Sequence, residues 1–264
     1  MNHLILHHLP EGFPWQVLWF DTIDSTNNRL KELAAQGAPH GTVIAAGQQT
    51  GGRGRMGRFF HSPGDMGLYL SVLLRPDCSA SELMHLTCGA AVAVCDAVET
   101  SAGIRPHIKW INDLVVGGKK LGGILTELSV CADSGKVSYA VIGVGINCCQ
   151  DMGDFPSDLQ DMAISLKAIT GKSQEPAVLA ASVIIALHRL SLELLTKKAD
   201  IMARYRNDCI TLGQDVVILH GDSKRYGTAV HVDDDGTLTV RLADGSMEQV
   251  SSGEVSVRGM YGYV

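Results

Sequence analysis

Apolar positions recur along this chain with two different spacings. From Ser25 to Gln36 (STNNRLKELAAQ), Leu30, Leu33 and Ala34 stand at helical spacing behind a polar start. Gly37 follows as a stop signal, so the pattern predicts a capped helix. Ser81–Thr100 and Pro176–Leu195 are longer, carry apolar residues on most sides, and predict buried helices. Thr42–Ala46, Gly67–Leu74, His107–Trp110, Leu121–Leu128 and Val137–Ile146 are short apolar runs of the kind that form buried strands. Gln48–Gly64, dense in Gly and Arg, predicts a loop. Beyond Thr211 the pattern changes to short alternating runs, Val216–Leu219, Gly227–Val232, Thr237–Leu242 and Val255–Arg258. Turn sequences Asp234-Asp235-Gly236 and Ala243-Asp244-Gly245 lie between them. Alternation with hairpin turns and no helix predicts a small β-barrel. The expectation is an α+β domain over residues 1–210 and a β-barrel over residues 211–264.

Composition narrows the function classes. At 264 residues and 45% hydrophobic, the chain is large enough for one conventional core with a small appendage. Lys and Arg number 22 against 28 Asp and Glu, a formal charge of -6, which argues against binding to the nucleic-acid backbone, whether as an RNA- or a DNA-binding protein. The opening MNHLILHHLPEGFPW has no basic n-region and contains Pro10 and Pro14, unlike a secretory signal. The apolar run Ala90–Ala97 carries Asp96 and falls far short of the roughly 20 residues that span a bilayer. The seven cysteines include no C-x-x-C and sit mostly in apolar surroundings. A soluble cytoplasmic protein with reduced thiols, no DNA and no membrane partner is expected.

Two stretches carry candidate chemistry. In QQTGGRGRMGR, residues 48–58, Arg53, Arg55 and Arg58 alternate with Gly51, Gly52, Gly54 and Gly57. Glycine lets the backbone approach a ligand closely, and each guanidinium presents forked donors matched to phosphate or carboxylate oxygens. An anion-binding loop is the reading, with an ordinary solvated loop as the alternative; an RNA-binding RGG segment would need many repeats and a basic chain. The second stretch joins Lys109-Trp110-Ile111-Asn112-Asp113 to Gly117-Gly118-Lys119-Lys120-Leu121-Gly122-Gly123-Ile124-Leu125. Lys120, at the mouth of an apolar strand, is placed to neutralise a carboxylate or an α-phosphate. Asp113 is placed either to orient that lysine or to hold Mg²⁺; taken alone, the stretch reads equally as a surface hairpin with solvated lysines.

In that order, GRGRMGR, KWIND, KKLGGIL and GVGIN resemble the signature blocks of the biotin–protein ligases, from about residue 17 to the C-terminus. Asp24-Ser25-Thr26-Asn27 looks like the family's early biotin motif, and Phe155-Pro156 with Ser165-Leu166 like its adenosine-side loop. The resemblance implies a mixed sheet with flanking helices, class II synthetase-like, and a C-terminal SH3-like barrel. It implies that Ser25, Thr26, Asn27, Gln49, Arg53, Gly54, Arg55, Lys120, Gly123 and Gly143 bind biotin. Arg53, Arg55, Arg58, Phe60, Lys109, Asn112 and Asn147 would contact ATP or the adenylate, with Gly145 in the wall. Lys120, Arg55 and Asp113 would be catalytic, and Asp113 would be the metal contact. The implied reaction forms biotinyl-5′-AMP from biotin and Mg²⁺-ATP, then biotinylates a lysine of a biotin carboxyl carrier protein or carrier domain. The fold admits a homodimer. About sixteen residues precede Val17, too few for the winged helix of the repressor members. Three positions depart from the family pattern: Ile111 where Pro is usual, Phe60 where Trp is common, and Cys148-Cys149 where small apolar residues are common. A lipoate or octanoate ligase of the same fold, or a sensor that holds biotinyl-AMP without transferring it, are the alternatives.

Overall fold

The computed structural model describes residues 2–220, 223–251 and 256–259. Strands β1 (Gln16–Ile23), β2 (Thr42–Gln49), β3 (Gly67–Leu74), β4 (His107–Lys109), β5 (Asp113–Val116), β6 (Lys119–Val130) and β7 (Val137–Asn147) form one mixed sheet of order β1-β2-β3-β7-β6-β5-β4. Helices α1 (Asn2–His7), α2 (Thr26–Ala35), α3 (Leu86–Ala102), α4 (Leu166–Thr170), α5 (Pro176–Glu193) and α6 (Lys198–Asp208) complete this part. Among the described strand pairs of this sheet only β1 and β2 run parallel, and α2 supplies the crossover that parallel pairing requires. The helix expected from Ser81 begins as a separate 3-10 turn, Ser81–Leu83, before α3 starts at Leu86. α3 ends at Gly103, whose φ of 70° is the left-handed cap that a side chain would resist.

The two faces of the sheet differ. Leu68, Leu70, Val72 and Leu74 of β3, with Ala140, Ile142 and Val144 of β7, join the main core that α3 and α5 complete. Every position of β3 is buried, which is why its sequence reads as an apolar run broken only by Ser71. By length and hydropathy α5 and the segment Ser81–Ala102 match a membrane span, but they pack together on this face, so their apolar character serves the core. On the other face α2 sets Leu30 and Ala34 against Ile44, Leu73 and Val141. Further along this face the sheet presents Ser71, Gly143, Gly145 and Gly123 on β3, β7 and β6, and there the cavity lies.

The C-terminal part corrects the expected barrel. β8 (Asp215–His220), β9 (Ser223–Val232), β10 (Leu238–Leu242), β11 (Met247–Val250) and β12 (Ser256–Gly259) form an antiparallel sheet of order β11-β10-β9-β8-β12. β11 and β12 are its two edges, and among the described residues no pairing joins them, so the SH3-like barrel is not formed. The fold is α+β, with a mixed central sheet and a separate small antiparallel sheet. Val255, assigned by sequence to the last strand, lies outside the described residues. Barrel closure requires first and last strands to pair with matched tilt and stagger, whereas each edge strand here has four residues. The apolar face is instead covered by the larger part: Val216, Ile218, Ala229, Val232, Leu238 and Val240 belong to the same core as α3.

The turn Asp233–Thr237 makes the junction. Asp233 Oδ1 accepts from the backbone N–H groups of Asp235 and Thr237, fixing the turn, and Trp110 Nε1 donates to Gly236 O at 2.9 Å in a buried bond. Arg206 of α6 adds an ion pair to Asp234 at 2.8 Å. Trp110→Phe removes the indole donor and orphans a buried carbonyl. It should lower the unfolding free energy by about 2 kcal/mol, read from the midpoint of urea unfolding. None of the seven cysteines is bonded to another.

Candidate active site

Glycines shape the floor of the cavity. Asn27, at the start of α2, lies flat across β3, β7 and β6 over Gly143, which pairs with Ser71 on one side and Leu125 on the other. Ser71 Oγ lies 2.6 Å from Asn27 Oδ1 and 2.7 Å from Thr26 Oγ1, while Asn27 Nδ2 donates to Leu125 O and to Glu127 Oε2 at 2.9 Å. A Cβ at Gly143 would sit 2.1 Å from Asn27 Oδ1. One register step along, a Cβ at Gly145 would meet the Phe60 ring at 2.6 Å, so the missing side chain makes the seat for that ring. Tyr69 closes the other side of Phe60 edge-on, with centroids 6.4 Å apart. Phe60 thus keeps an aromatic surface in the cavity at the position where the family commonly has Trp.

Gln49, the last residue of β2, joins the floor to the loop. Its Oε1 accepts from Thr26 N at 2.9 Å and Thr26 Oγ1 at 3.1 Å, and its Nε2 donates to Ser62 Oγ at 3.1 Å. The Gly-Arg loop is folded back as a narrow hairpin, with Phe60 N on Gly52 O and Gly54 N on Arg58 O. Its tip takes left-handed geometry at Met56 and Gly57. Gly52 is needed in the arm, since a Cβ there would lie 2.3 Å from Phe60 O.

The arginines diverge. Arg53 turns toward α2 and β6, where its NH1 donates to Asn28 Oδ1 and Glu127. Arg55 enters the cavity and donates to Asn112 Oδ1 at 3.2 Å; Asn112 Nδ2 is held in turn by Ile124 O. Burial pulls the Arg55 guanidinium below its ordinary value and Arg58 adds to this, while Asp113 works against both. A partly desolvated cation of this kind is stabilised by an arriving anion.

β5 and β6 bring the second pair together. Lys120 Nζ donates to Asp113 Oδ1 at 2.6 Å, within a β-bulge of the β5–β6 ladder. The Lys120 main chain is also clamped from outside, donating to Met162 O and accepting from Ile164 N. Asn147, at the end of β7, donates to Ile164 O at 3.1 Å and accepts from Gln150 Nε2.

A single cavity of about 740 Å³ gathers these groups. Ser25, Thr26, Asn27, Gln49 and Gly143 line one end. Arg53, Gly54, Arg55, Arg58 and Phe60 line the loop side, and Lys109, Asn112, Asp113, Lys120, Gly123, Gly145 and Asn147 the remainder, so every residue implied to bind biotin or nucleotide or to act in catalysis borders one space, while Pro156 and Leu166 of the expected adenosine-side loop do not. Phe155 lines it too, whereas Ser165 caps α4 and lies outside the lining. Ser25 marks the start of α2 but makes no side-chain cap bond. Sequence reasoning missed Ser71, Ser62 and Glu127, and also Leu159 and Met162, which line the cavity from the 155–163 segment.

Glu127 gathers Asn27, Lys31 and Arg53. Burial pushes its carboxyl up, but the bonds from Lys31 and Asn27 and the charges of Lys31 and Arg53 outweigh burial and leave it below the ordinary 4.5. A carboxyl lowered on folding contributes stability that is complete above 4.5 and is lost as pH falls through its folded value. The stability difference between the wild type and Glu127→Gln should therefore be constant above pH 5 to 6 and shrink in more acid solution, read by urea unfolding across pH.

Two family models match the chain: the Biotin/lipoate A/B protein ligase family over residues 19–147 and the Biotin protein ligase C terminal domain over residues 211–258. The bifunctional ligase/repressor BirA of Bacillus subtilis is 34% identical over 242 residues, covering 91% of this chain and 74% of that protein. The biotin–[acetyl-CoA-carboxylase] ligase of Mycobacterium tuberculosis is 31% identical over 88% of this chain and 85% of its own length. The biotin protein ligase from Aquifex aeolicus, solved in complex with biotin and ATP, superposes with a TM-score of 0.78 at 30% identity, covering 94% of this chain and 100% of that one. With the signature blocks brought to one cavity and sequence agreement spanning both parts of the fold, the chain belongs to the biotin protein ligase family.

Proposed function

We propose that this protein activates biotin with ATP and transfers it to a carrier protein. The observation that carries this reading is Lys120, held 2.6 Å from Asp113, at one cavity with Arg55 and the polar Ser25–Asn27 end. The ureido ring of biotin seats at the Ser25, Thr26 and Gln49 end, and its carboxylate points toward Lys120. That carboxylate attacks the α-phosphorus of ATP, forming an acyl–phosphate bond as the bond to pyrophosphate breaks. Two anions meet in this step, and Lys120 with Arg55 and Arg58 offsets their repulsion where the charge develops. The adenine lies toward Phe60 and Asn147. The product is a mixed anhydride open to hydrolysis, and the Gly-Arg loop excludes water from it. A neutral lysine amine of the carrier then attacks the acyl carbon, AMP departs, and the amine proton passes to a phosphate oxygen of the leaving AMP.

Mg²⁺ belongs to this reading as the ion that arrives with the triphosphate and spreads its charge. Among the described residues no group of three His, Cys, Asp or Glu side chains is placed to hold a metal. A site made chiefly of phosphate oxygens with one carboxylate, Asp113, suits Mg²⁺, which keeps much of its water. The acceptor is a lysine on the carrier domain of a biotin-dependent carboxylase, and the cytoplasm is the compartment in which the two would meet.

The test is pyrophosphate release from ATP with biotin, lipoate or octanoate, followed by mass spectrometry of an added biotin carrier domain. Biotin-dependent pyrophosphate with a biotin-sized mass gain is expected. Release with lipoate alone would overturn the assignment, and release without transfer would make the protein an adenylate sensor.

A further inference from the structure

The hydrogen bonds beneath the cavity form one continuous chain. It starts at Ser62, at the far end of the Gly-Arg loop, passes through Gln49 to the Thr26 backbone N–H, and runs on from the Thr26 hydroxyl across Ser71 to Asn27. It ends at Glu127, which grips Arg53 at the near end of the same loop, with NH1 at 3.0 Å and 3.2 Å from the two carboxylate oxygens. Both arms of the loop are thus fastened to the floor on which biotin would lie. Asn27 has little left for a ligand: Leu125 O and Glu127 take its amide protons, and its oxygen faces Ser71 over Gly143.

We propose that Glu127 is a positioning residue, fastening the near arm of the Gly-Arg loop through Arg53 and orienting the Asn27 amide from the same carboxylate. This inference rests on the biotin-ligase reading for its kinetic consequence, but its structural half is independent of that reading. Arg53 then works as an anchor, and the anion is met by Arg55 and Arg58. Glu127 touches no reacting atom; it acts through the loop that keeps water from the adenylate. Lys31, 2.7 Å from the same carboxylate, shares the charge but leads away from the cavity.

Three variants separate these roles. Glu127→Gln keeps an acceptor for Asn27 and loses the charge that holds Arg53. Glu127→Ala loses both, and Lys31→Gln removes only the outlying ion pair. In the ligand-free protein, amide hydrogen exchange over residues 51–60 should speed up about fivefold or more in Glu127→Gln and stay within about twofold of wild type in Lys31→Gln. With biotin and ATP, loss of preformed biotinyl-AMP to water should rise about tenfold in Glu127→Gln at nearly unchanged biotin affinity, and Glu127→Ala should weaken biotin binding as well. Unchanged loop exchange in Glu127→Gln would overturn the proposal. So would a general rise in exchange and a lower Tm with adenylate retention intact. If the wild type made no adenylate from biotin, the proposed function would fail, while the exchange comparison would still decide the role of Glu127.

Discussion

Replacing Lys120 by Gln should lower kcat/KM for biotin-dependent pyrophosphate release by about a hundred- to a thousandfold. Gln retains a hydrogen-bond donor but no charge, and in the activation step two negative reactants share one site. The transfer step differs, because biotinyl-AMP is already activated and positioning supplies most of the rate. Chemically supplied biotinyl-AMP should therefore still biotinylate the carrier, with a loss of about tenfold or less. Lys120 is 29% exposed, so Tm should move little. An equal fall in both half-reactions would make Lys120 a general binding group and remove it from the catalytic set.

The second large effect is expected at Gly143. A methyl group there would lie 2.1 Å from Asn27 Oδ1, and Asn27 cannot turn aside without giving up its bonds to Ser71, Leu125 O and Glu127. Overpacking the floor and orphaning buried polar groups together should cost Gly143→Ala about 2–4 kcal/mol of stability. Biotin affinity should fall by at least about tenfold, because the floor and both loop anchors move together. Calorimetric titration with biotin, beside urea unfolding, checks both. Gly153→Ala is the matched comparison, since a Cβ there meets nothing within 4 Å and little change is expected.

How much of this was legible in the sequence depended on the range of the interaction. β3, Gly67–Leu74, could be read to the residue because burial on both faces leaves a run that is apolar except at Ser71. β1, Gln16–Ile23, escaped notice because it is only partly covered and its sequence, QVLWFDTI, mixes polar and apolar positions without a clean period. The cavity residues were found because they cluster in a few short motifs. Ser71 and Glu127 were not, because each becomes functional only through a partner far away in sequence: Asn27 is 44 residues from Ser71 and 100 from Glu127. A serine in an apolar strand and a glutamate on a half-exposed one carry no local signal. The expected barrel failed for a related reason. Alternation in the last fifty or so residues reports that one face is buried; it does not report whether the last strand returns to the first.

The indole of Trp110 bonded to Gly236 has a further consequence for how relatives can be recombined. Trp110 stands between Lys109 and Asn112, and Gly236 lies in the β9–β10 turn packed against Cys88 and Ile111, where a Cβ would come within 2.9 Å of the Cys88 sulfur. A chimera cut at residue 211 would therefore split a lock from its key. Exchange of the C-terminal sheet between family members should yield soluble protein when residues 84–88, 110–111 and 233–237 come from the same parent, and poorly folded protein when they do not.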